Sequence, residues 1–310
     1  MEYIIFIISM SSLVYGANHI VIESEKIALH FEIPAFIIGA TIIALGTSLP
    51  EMAASVTASY QGKSDMAVAN ILGSVTFNIS LVLGFVFLMA KNLNPIRDIF
   101  KNDSVWIIAP PILFLLMAYD GKISRLDGLI FIFLMVSYLL FLNSDKKHFE
   151  DGIDEEALKE KFAWTKTSLL LTTGFIFVIV GAQYAIKSAS QIALDFGVSE
   201  WVIGLLLIAF GTSLPELVVS IVAVRKNNAD MAIGNIIGSN VANFAVVLGS
   251  AAIVNPLTVD SIKNGFDVAC VFASSIILIY ITATKLYSKP AGIILLSIIV
   301  LMINHSFNIS

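Results

Sequence analysis

The feature of this sequence that most constrains its fold is an internal repeat with a spacing of 165 residues. Residues 38–84 align without a gap on residues 203–249, and 23 of the 47 aligned positions are identical. The run Gly-Thr-Ser-Leu-Pro-Glu occurs in both copies and ends at Glu51 in the first and at Glu216 in the second. A chain that carries two such copies is expected to fold as two related halves.

The segments in and around the repeat are apolar enough to cross a membrane. Apolar residues make up 57% of the chain and charged residues 13%, and the mean hydropathy is +0.90. These values lie outside the range of soluble globular proteins. A membrane span needs about 20 mostly apolar residues, and ten segments approach this: 3–21, 34–58, 66–90, 104–119, 126–143, 167–186, 199–224, 231–254, 264–284 and 290–304. We therefore predict an all-α membrane protein with ten transmembrane helices.

The hydrophilic stretch 144–166 divides these segments into two sets of five. Because five is an odd number, the second set must enter the membrane with the opposite orientation to the first. The prediction is therefore an N-terminal five-helix repeat over 1–143, a linker, and an inverted C-terminal repeat over 167–310. Secondary transporters commonly have this architecture, with the substrate site near the midplane where the two repeats meet.

The distribution of basic residues predicts the orientation in the membrane. When the loops are assigned alternately to the two sides, thirteen lysines and arginines fall on the side of the linker and five on the other. Basic residues are enriched in cytoplasmic loops. We therefore predict a multi-pass plasma-membrane protein with a cytoplasmic linker and with both termini outside.

The repeated residues predict a cation site. Glu51 and Glu216 lie deep in apolar segments, where a carboxylate costs several kcal/mol unless it is solvated, paired or protonated. Hydroxyl groups precede each acid, and an Asn, Ser, Asn stripe at helical spacing follows it. These are hard oxygen donors, which favour calcium or sodium over zinc or copper. The same oxygens could hold a proton or another monovalent ion, and polar stripes can also serve only to pack helices together.

The residues give less support to an enzyme or a channel than to a transporter. The four histidines are scattered and form no H-E-x-x-H motif, so an enzyme is not expected. A channel usually assembles its pore from symmetric subunits, whereas inverted repeats within one chain suit a site that opens alternately to each side. The single cysteine, Cys270, excludes a disulfide framework and a multi-cysteine metal site.

Two copies of Gly-Thr-Ser-Leu-Pro-Glu, each followed by Asn-x-x-Gly-Ser-x-x-x-Asn, resemble the alpha repeats of the calcium/cation antiporter superfamily. The chain length and the ten-helix pattern resemble its prokaryotic sodium/calcium exchangers. The resemblance implies exchange of calcium for sodium by alternating access, with the segments 3–21 and 167–186 sliding as a gate. It implies that the ions are bound by these residues: Glu51 and Glu216 through carboxylates, Thr47, Ser48, Thr212, Ser213, Ser74, Asn78, Ser239 and Asn243 through other side-chain oxygens, and Ala44 and Ala209 through backbone carbonyls.

One departure from the family pattern bears on the coupling ion. Some sodium-coupled relatives have aspartate at one of the positions matching Asn78 and Asn243, whereas this chain has asparagine at both. Paired asparagines also occur in calcium/proton exchangers, so calcium/proton antiport on the same fold is the alternative, and a cation channel is a remote one. The expected partners are calcium, sodium and the lipid bilayer, with no cofactor and no nucleic acid, and the chain is expected to function as a monomer.

Overall fold

The computed structural model describes residues 1–90, 93, 95–145, 162–197, 209–260 and 263–308. The linker prediction falls largely on 146–161, which lie outside the described residues. Within the described ranges the chain is almost entirely helical, apart from a two-stranded antiparallel sheet of β1 (Lys122–Ile123) and β2 (Leu257–Thr258). The helices are α1 Glu2–His30, α2 Ala35–Thr47, α3 Leu49–Tyr60, α4 Ser64–Met89, α5 Ile99–Met117, α6 Arg125–Asp145, α7 Trp164–Asp195, α8 Ala209–Thr212, α9 Leu214–Arg225, α10 Ala229–Val254, α11 Gly265–Ala283 and α12 Lys289–Asn308.

Helices of the two copies begin and end at equivalent residues. The bounds of α3, shifted by 165 positions, are those of α9, and the bounds of α4 shifted in the same way are those of α10. Within α4 a π-helical turn runs over Asn78–Leu83, and within α10 an equivalent turn runs over Asn243–Leu248. The sequence identity between the copies therefore extends to local backbone geometry.

By length and composition, seven helices of the described chain can cross a membrane, or eight if the bent pair α2 and α3 is one span. The other two predicted segments account for the difference from ten. Much of segment 199–224 lies outside the described residues, and α12 is described as a shorter apolar helix. The membrane-type helical fold is thus observed, with seven to eight candidate spans.

Glycines bring α1 and α7 into close contact. A Cβ at Gly16 would lie 2.6 Å from the carbonyl oxygen of Gly174, and a Cβ at Gly181 would lie 3.0 Å from that of Ser9. These two contacts are equivalent under the shift of 165, which relates Gly16 to Gly181 and Ser9 to Gly174. Such small residues allow close backbone packing of membrane helices, so α1 and α7 form a tightly packed pair.

The crossing of α2 and α10 is equally close and brings the two copies together. A Cβ at Gly238 would collide with the carbonyl of Ala40, and one at Gly234 would collide with the carbonyl of Phe36. From the other side, a Cβ at Gly39 would collide with the carbonyl of Met231. Because the backbones touch, the positions of polar groups on α2 and α10 are fixed relative to each other.

A buried ionic cluster around Arg97 lies where several helices begin or end. Arg97 is 2% exposed, its guanidinium donates to Asp103 at 2.5 and 2.9 Å, and it also bonds to Asp145 at the end of α6. Burial opposes the charge of Arg97, but the hydrogen bonds and charges of these two carboxylates outweigh it, so its pKa is raised. The carboxylate of Asp230 accepts the backbone N–H of Arg97 at 3.1 Å. The cluster ties the segment before α5 to the ends of α6 and α10.

Candidate functional site

Two helix breaks place the glutamates. The axes of α2 and α3 differ by 44° at Ser48, which has φ −83° and ψ 4°. Ser213 separates α8 from α9 with nearly the same angles, φ −87° and ψ 3°. A proline follows in the first turn of both α3 and α9, where its missing N–H costs nothing. Each break therefore starts a new helix whose first turn carries Glu51 or Glu216.

The acid-bearing helices pack against the π-helical turns of the opposite copy. Helix α3 contacts the turn Asn243–Leu248, and α9 contacts the turn Asn78–Leu83. Turns of this kind are rare, but those that do occur are often found at functional sites. The extra residue in the turn changes which side chains face a neighbouring helix. Here they bring Asn78 and Asn243 to the helices that carry the acids.

Direct side-chain contacts, one from a hydroxyl to a carboxylate and one between two hydroxyls, join the two halves. Ser48 Oγ donates a hydrogen bond to Glu216 Oε1 at 3.3 Å. Ser74 Oγ and Thr212 Oγ1 lie 3.4 Å apart. Each pair takes one member from each copy of the repeat, so four of the predicted side chains meet across the interface between the copies.

Two further contacts link α2 to α10. Ser239 Oγ donates to the backbone carbonyl of Ala44 at 3.5 Å. Thr47 Oγ1 lies 3.4 Å from Asn235 Oδ1 and 3.1 Å from the carbonyl oxygen of Ile43 in its own helix, so its single proton has an acceptor in either copy. The Ala44 carbonyl oxygen thus contacts a side chain of the other copy. The corresponding residue Ala209 begins α8, and its side chain lies outside the described part.

The assembled groups are buried with unsatisfied polar atoms. Glu51 and Glu216 are both fully buried, and within the described residues neither is paired with a lysine or arginine. Buried polar atoms in folded proteins nearly always have a partner. Several here have none among the described residues: both carboxylate oxygens of Glu51, Oε2 of Glu216, Oγ of Ser213, Oδ1 of Asn78, and both Oδ1 and Nδ2 of Asn243.

These atoms define the chemistry that the site can support. No group of three or more His, Cys, Asp or Glu side chains able to hold a metal is found in the described chain. A cation here would therefore depend on two carboxylates together with hydroxyl, amide and backbone oxygens. Such mixed oxygen ligation is what calcium and other hard cations take in proteins.

Two asparagines that were not predicted as ligands support the acid-bearing helices. Asn70 Nδ2 donates to Ser55 Oγ at 2.8 Å, and the equivalent Asn235 Nδ2 donates to Ser220 Oγ at 3.0 Å. All four positions are identical between the copies, so the repeat itself carried the signal. A third residue, Asn240, carried no such signal because valine stands at the equivalent position, yet it accepts a hydrogen bond from Asn78.

Comparison with known proteins identifies the family. A family model described as sodium/calcium exchanger protein matches residues 1–143 and 166–307. An uncharacterized membrane protein of Methanocaldococcus jannaschii is 34% identical and is aligned over 96% of this chain and 95% of its own. The sodium/calcium exchanger MaX1 of Methanosarcina acetivorans is 29% identical over 91% of both chains.

Solved structures give the same result. The sodium-calcium exchanger NCX_Mj, soaked with Na⁺ and Sr²⁺, superimposes with a TM-score of 0.82 at 32% identity, over 98% of this chain and 97% of that one. The match extends across both copies of the repeat and includes the helices that meet at the buried glutamates. The chain therefore belongs to the sodium/calcium exchanger protein family.

Proposed function

We propose that this protein is a secondary active antiporter that exchanges calcium for sodium across a membrane by alternating access. The observation that carries the proposal is the pair of fully buried glutamates, of whose four carboxylate oxygens three lack partners in the described chain and the fourth, Glu216 Oε1, accepts a hydrogen bond from Ser48. Two buried carboxylates balance the charge of one calcium ion. Membership of the sodium/calcium exchanger family supports sodium as the counter-ion.

The proposed architecture is ten transmembrane helices in two inverted five-helix repeats. The equivalent bounds of α3 and α9, and of α4 and α10, support two copies of one unit. The hydropathy of segment 199–224 and of α12 supports two spans beyond the seven or eight that length and composition identify. With five spans in each copy, the two units have opposite orientation.

Each predicted site residue has a proposed role. Glu51 and Glu216 supply charge and oxygens to calcium from the first turns of α3 and α9. Neutral oxygens complete the calcium and sodium sites: the side chains of Thr47, Ser48, Thr212, Ser213, Ser74, Asn78, Ser239 and Asn243, and the carbonyls of Ala44 and Ala209. Hydroxyl groups such as that of Ser48 can donate to a carboxylate when no cation is bound and can accept a cation through the same oxygen.

The coupling follows from the charge of the site. Two carboxylates without a cation are unfavourable in a low-dielectric interior, so the site is expected to cross between its two accesses only when calcium or sodium neutralises it. In the proposed cycle α1 and α7 move together as the gate. Their glycine-mediated contact makes them one packed unit, whereas the crossing of α2 and α10 holds the site itself in place.

The proposed location is the plasma membrane, with the linker in the cytoplasm, both termini outside and a monomer as the working unit. The single, buried Cys270 can be replaced by serine to give a cysteine-free background. In that background, Tyr119→Cys in the exposed α5–α6 turn should react with an impermeant maleimide from outside intact cells, and Lys147→Cys only after permeabilisation. The reverse pattern would overturn the orientation.

The function is tested by uptake of radioactive calcium into proteoliposomes loaded with sodium. Dilution into sodium-free buffer should drive uptake that Glu216→Gln and Glu51→Gln each abolish, since each change removes one charge from the site. Glu32→Gln, the same change at an exposed position in the α1–α2 turn, is the matched control and should transport normally. Uptake driven by a pH gradient but not by sodium would refute sodium coupling, and uptake that survives both site changes would refute the site.

A further inference from the structure

The two site asparagines have different surroundings, although the repeat makes them equivalent. Asn78 Nδ2 donates a hydrogen bond to Asn240 Oδ1 at 3.1 Å. The residue equivalent to Asn240 in the first copy is Val75, which is 1% exposed and has no polar side-chain atom. Asn243 consequently lacks the partner that Asn78 has, and both of its polar atoms are unpaired within the described chain.

This difference matters because a carboxamide has two unlike ends. Its oxygen can bind a cation, whereas its NH₂ group carries only donors and repels one. An asparagine therefore serves as a cation ligand only if its oxygen is held toward the ion. An aspartate needs no such control, because both of its oxygens are acceptors.

The geometry at Asn78 provides that control. The NH₂ group is engaged by Asn240, and Oδ1 is left buried without a partner in the described residues. Asn78 is the first residue of the π-helical turn, and α9, the helix that carries Glu216, packs against this turn. The free oxygen is therefore available at the interface between the copies, next to the helix that supplies a carboxylate.

We propose that Asn240 is a positioning residue that fixes the amide of Asn78 with its oxygen toward the transported cation, while the amide of Asn243 stays free to turn. The proposal rests on the proposed function, since it assumes that the cation is calcium. It makes the cation site asymmetric: one amide is a permanent oxygen ligand, and the other can offer an oxygen to a bound ion or an N–H to an unoccupied carboxylate.

The test is a double-mutant cycle read by calcium binding to the purified protein in detergent without sodium, measured by isothermal titration calorimetry. Asn240→Leu, similar in size but without an acceptor, should weaken calcium binding about tenfold, the scale of one lost contact to a charged group. Asn78→Ala should weaken it by at least as much. In the Asn78→Ala background, Asn240→Leu should have no further effect, because there is no amide left to orient.

Two more variants separate positioning from packing. Asn240→Asp keeps an acceptor for the Asn78 N–H and should retain wild-type affinity or better. If Asn240→Leu lowers the melting temperature, Asn240→Ala makes the same comparison without added bulk. An unchanged affinity in both Asn240→Leu and Asn240→Ala, or a loss that is simply additive with Asn78→Ala, would overturn the proposal.

The outcomes distinguish this proposal from the proposed function. Calcium binding that depends on Asn240, in a protein that shows no sodium-driven uptake, would leave the positioning role intact and refute sodium/calcium exchange. Sodium-driven uptake with an affinity indifferent to Asn240 would refute only the positioning role. A wild-type protein that binds no calcium would refute both.

Discussion

Replacement of Gly238 by alanine should disable the site without touching a proposed ligand. The new Cβ would lie 2.5 Å from the Cα and 2.7 Å from the carbonyl carbon of Ala40, and nearer still to its oxygen. Nonbonded carbon atoms pack at about 3.5–4.0 Å, and every clashing atom belongs to the backbone, so no side chain can move aside. The two helices must therefore separate by about 1 Å.

This separation of α2 from α10 would lengthen the distances between polar groups in the site. The distance between Ser239 Oγ and the Ala44 carbonyl oxygen, 3.5 Å in the structure, would grow to roughly 4.5 Å. Calcium requires oxygens at about 2.3–2.6 Å, so ligands on α2 and α10 could no longer reach one ion together. We expect calcium affinity to fall by about a hundredfold, the scale of loss that a 1 Å misplacement of reacting groups can cause in an enzyme. We expect the free energy of unfolding to fall by about 1–3 kcal/mol from overpacking.

The assay is calcium titration calorimetry with a parallel thermal melt in detergent. Gly265→Ala is the matched control, because Gly265 is exposed at the start of α11 and its added Cβ meets no described atom within 4 Å. It should match the wild type in both measurements. If Gly238→Ala bound calcium with wild-type affinity, the close crossing of α2 and α10 would not be what sets the geometry of the site.

Two further changes test the parts of the fold that support the site. Arg97→Met leaves the buried carboxylate of Asp103 and the partly buried one of Asp145 without their partner, and should lower the free energy of unfolding by about 3–5 kcal/mol. Lys263→Ala, which breaks an ion pair whose side chains are 67% and 59% exposed, should change it by less than about 1 kcal/mol. Equal melting temperatures for the two variants would contradict this. Ser220→Ala removes the acceptor of the buried Asn235 NH₂ group and should lower the free energy of unfolding by about 1–3 kcal/mol. The control Ser297→Ala, which removes an exposed hydroxyl that bonds to its own helix, should leave it unchanged. An unchanged stability of Ser220→Ala would show that Asn235 finds another partner.

The sequence was sufficient to predict the groups that both copies share. The repeated motif identified Glu51 and Glu216, and the repeated Ser and Asn positions identified the neighbours that meet across the interface. Helix bounds followed from hydropathy to within about five residues, except that α1 and α7 each extend nine residues beyond the predicted ends at 21 and 186. The site residues that could be predicted in this way are those that are identical in the two copies.

The remainder depends on tertiary contacts that have no local signal. The residues of the π-helical turn Asn78–Leu83 carry no sequence signal that distinguishes this turn from an α-helix, and the turn packs against α9 of the other copy. Asn240 has no signal in the repeat, because its contact with Asn78 depends on a difference between the copies and not on an identity. Arg97 resembles the other basic loop residues, since nothing in the sequence places Asp103 and Asp145 around its guanidinium.

The equivalence of the two copies has a consequence for the resting populations of the transporter. If the inverted copies that we propose were also identical, the inward-open and outward-open forms would be related by a two-fold rotation about an axis in the membrane plane. They would then have equal free energies, and the unloaded protein would divide evenly between them. Residues shared by the copies therefore cannot bias that equilibrium. The bias must come from residues that differ between the copies, such as Asn240 and its equivalent Val75, or Asp103 of the buried Arg97 cluster and its equivalent Val268. Substitutions at such unmatched positions are where the preferred direction of opening can be changed while the ion site itself is preserved.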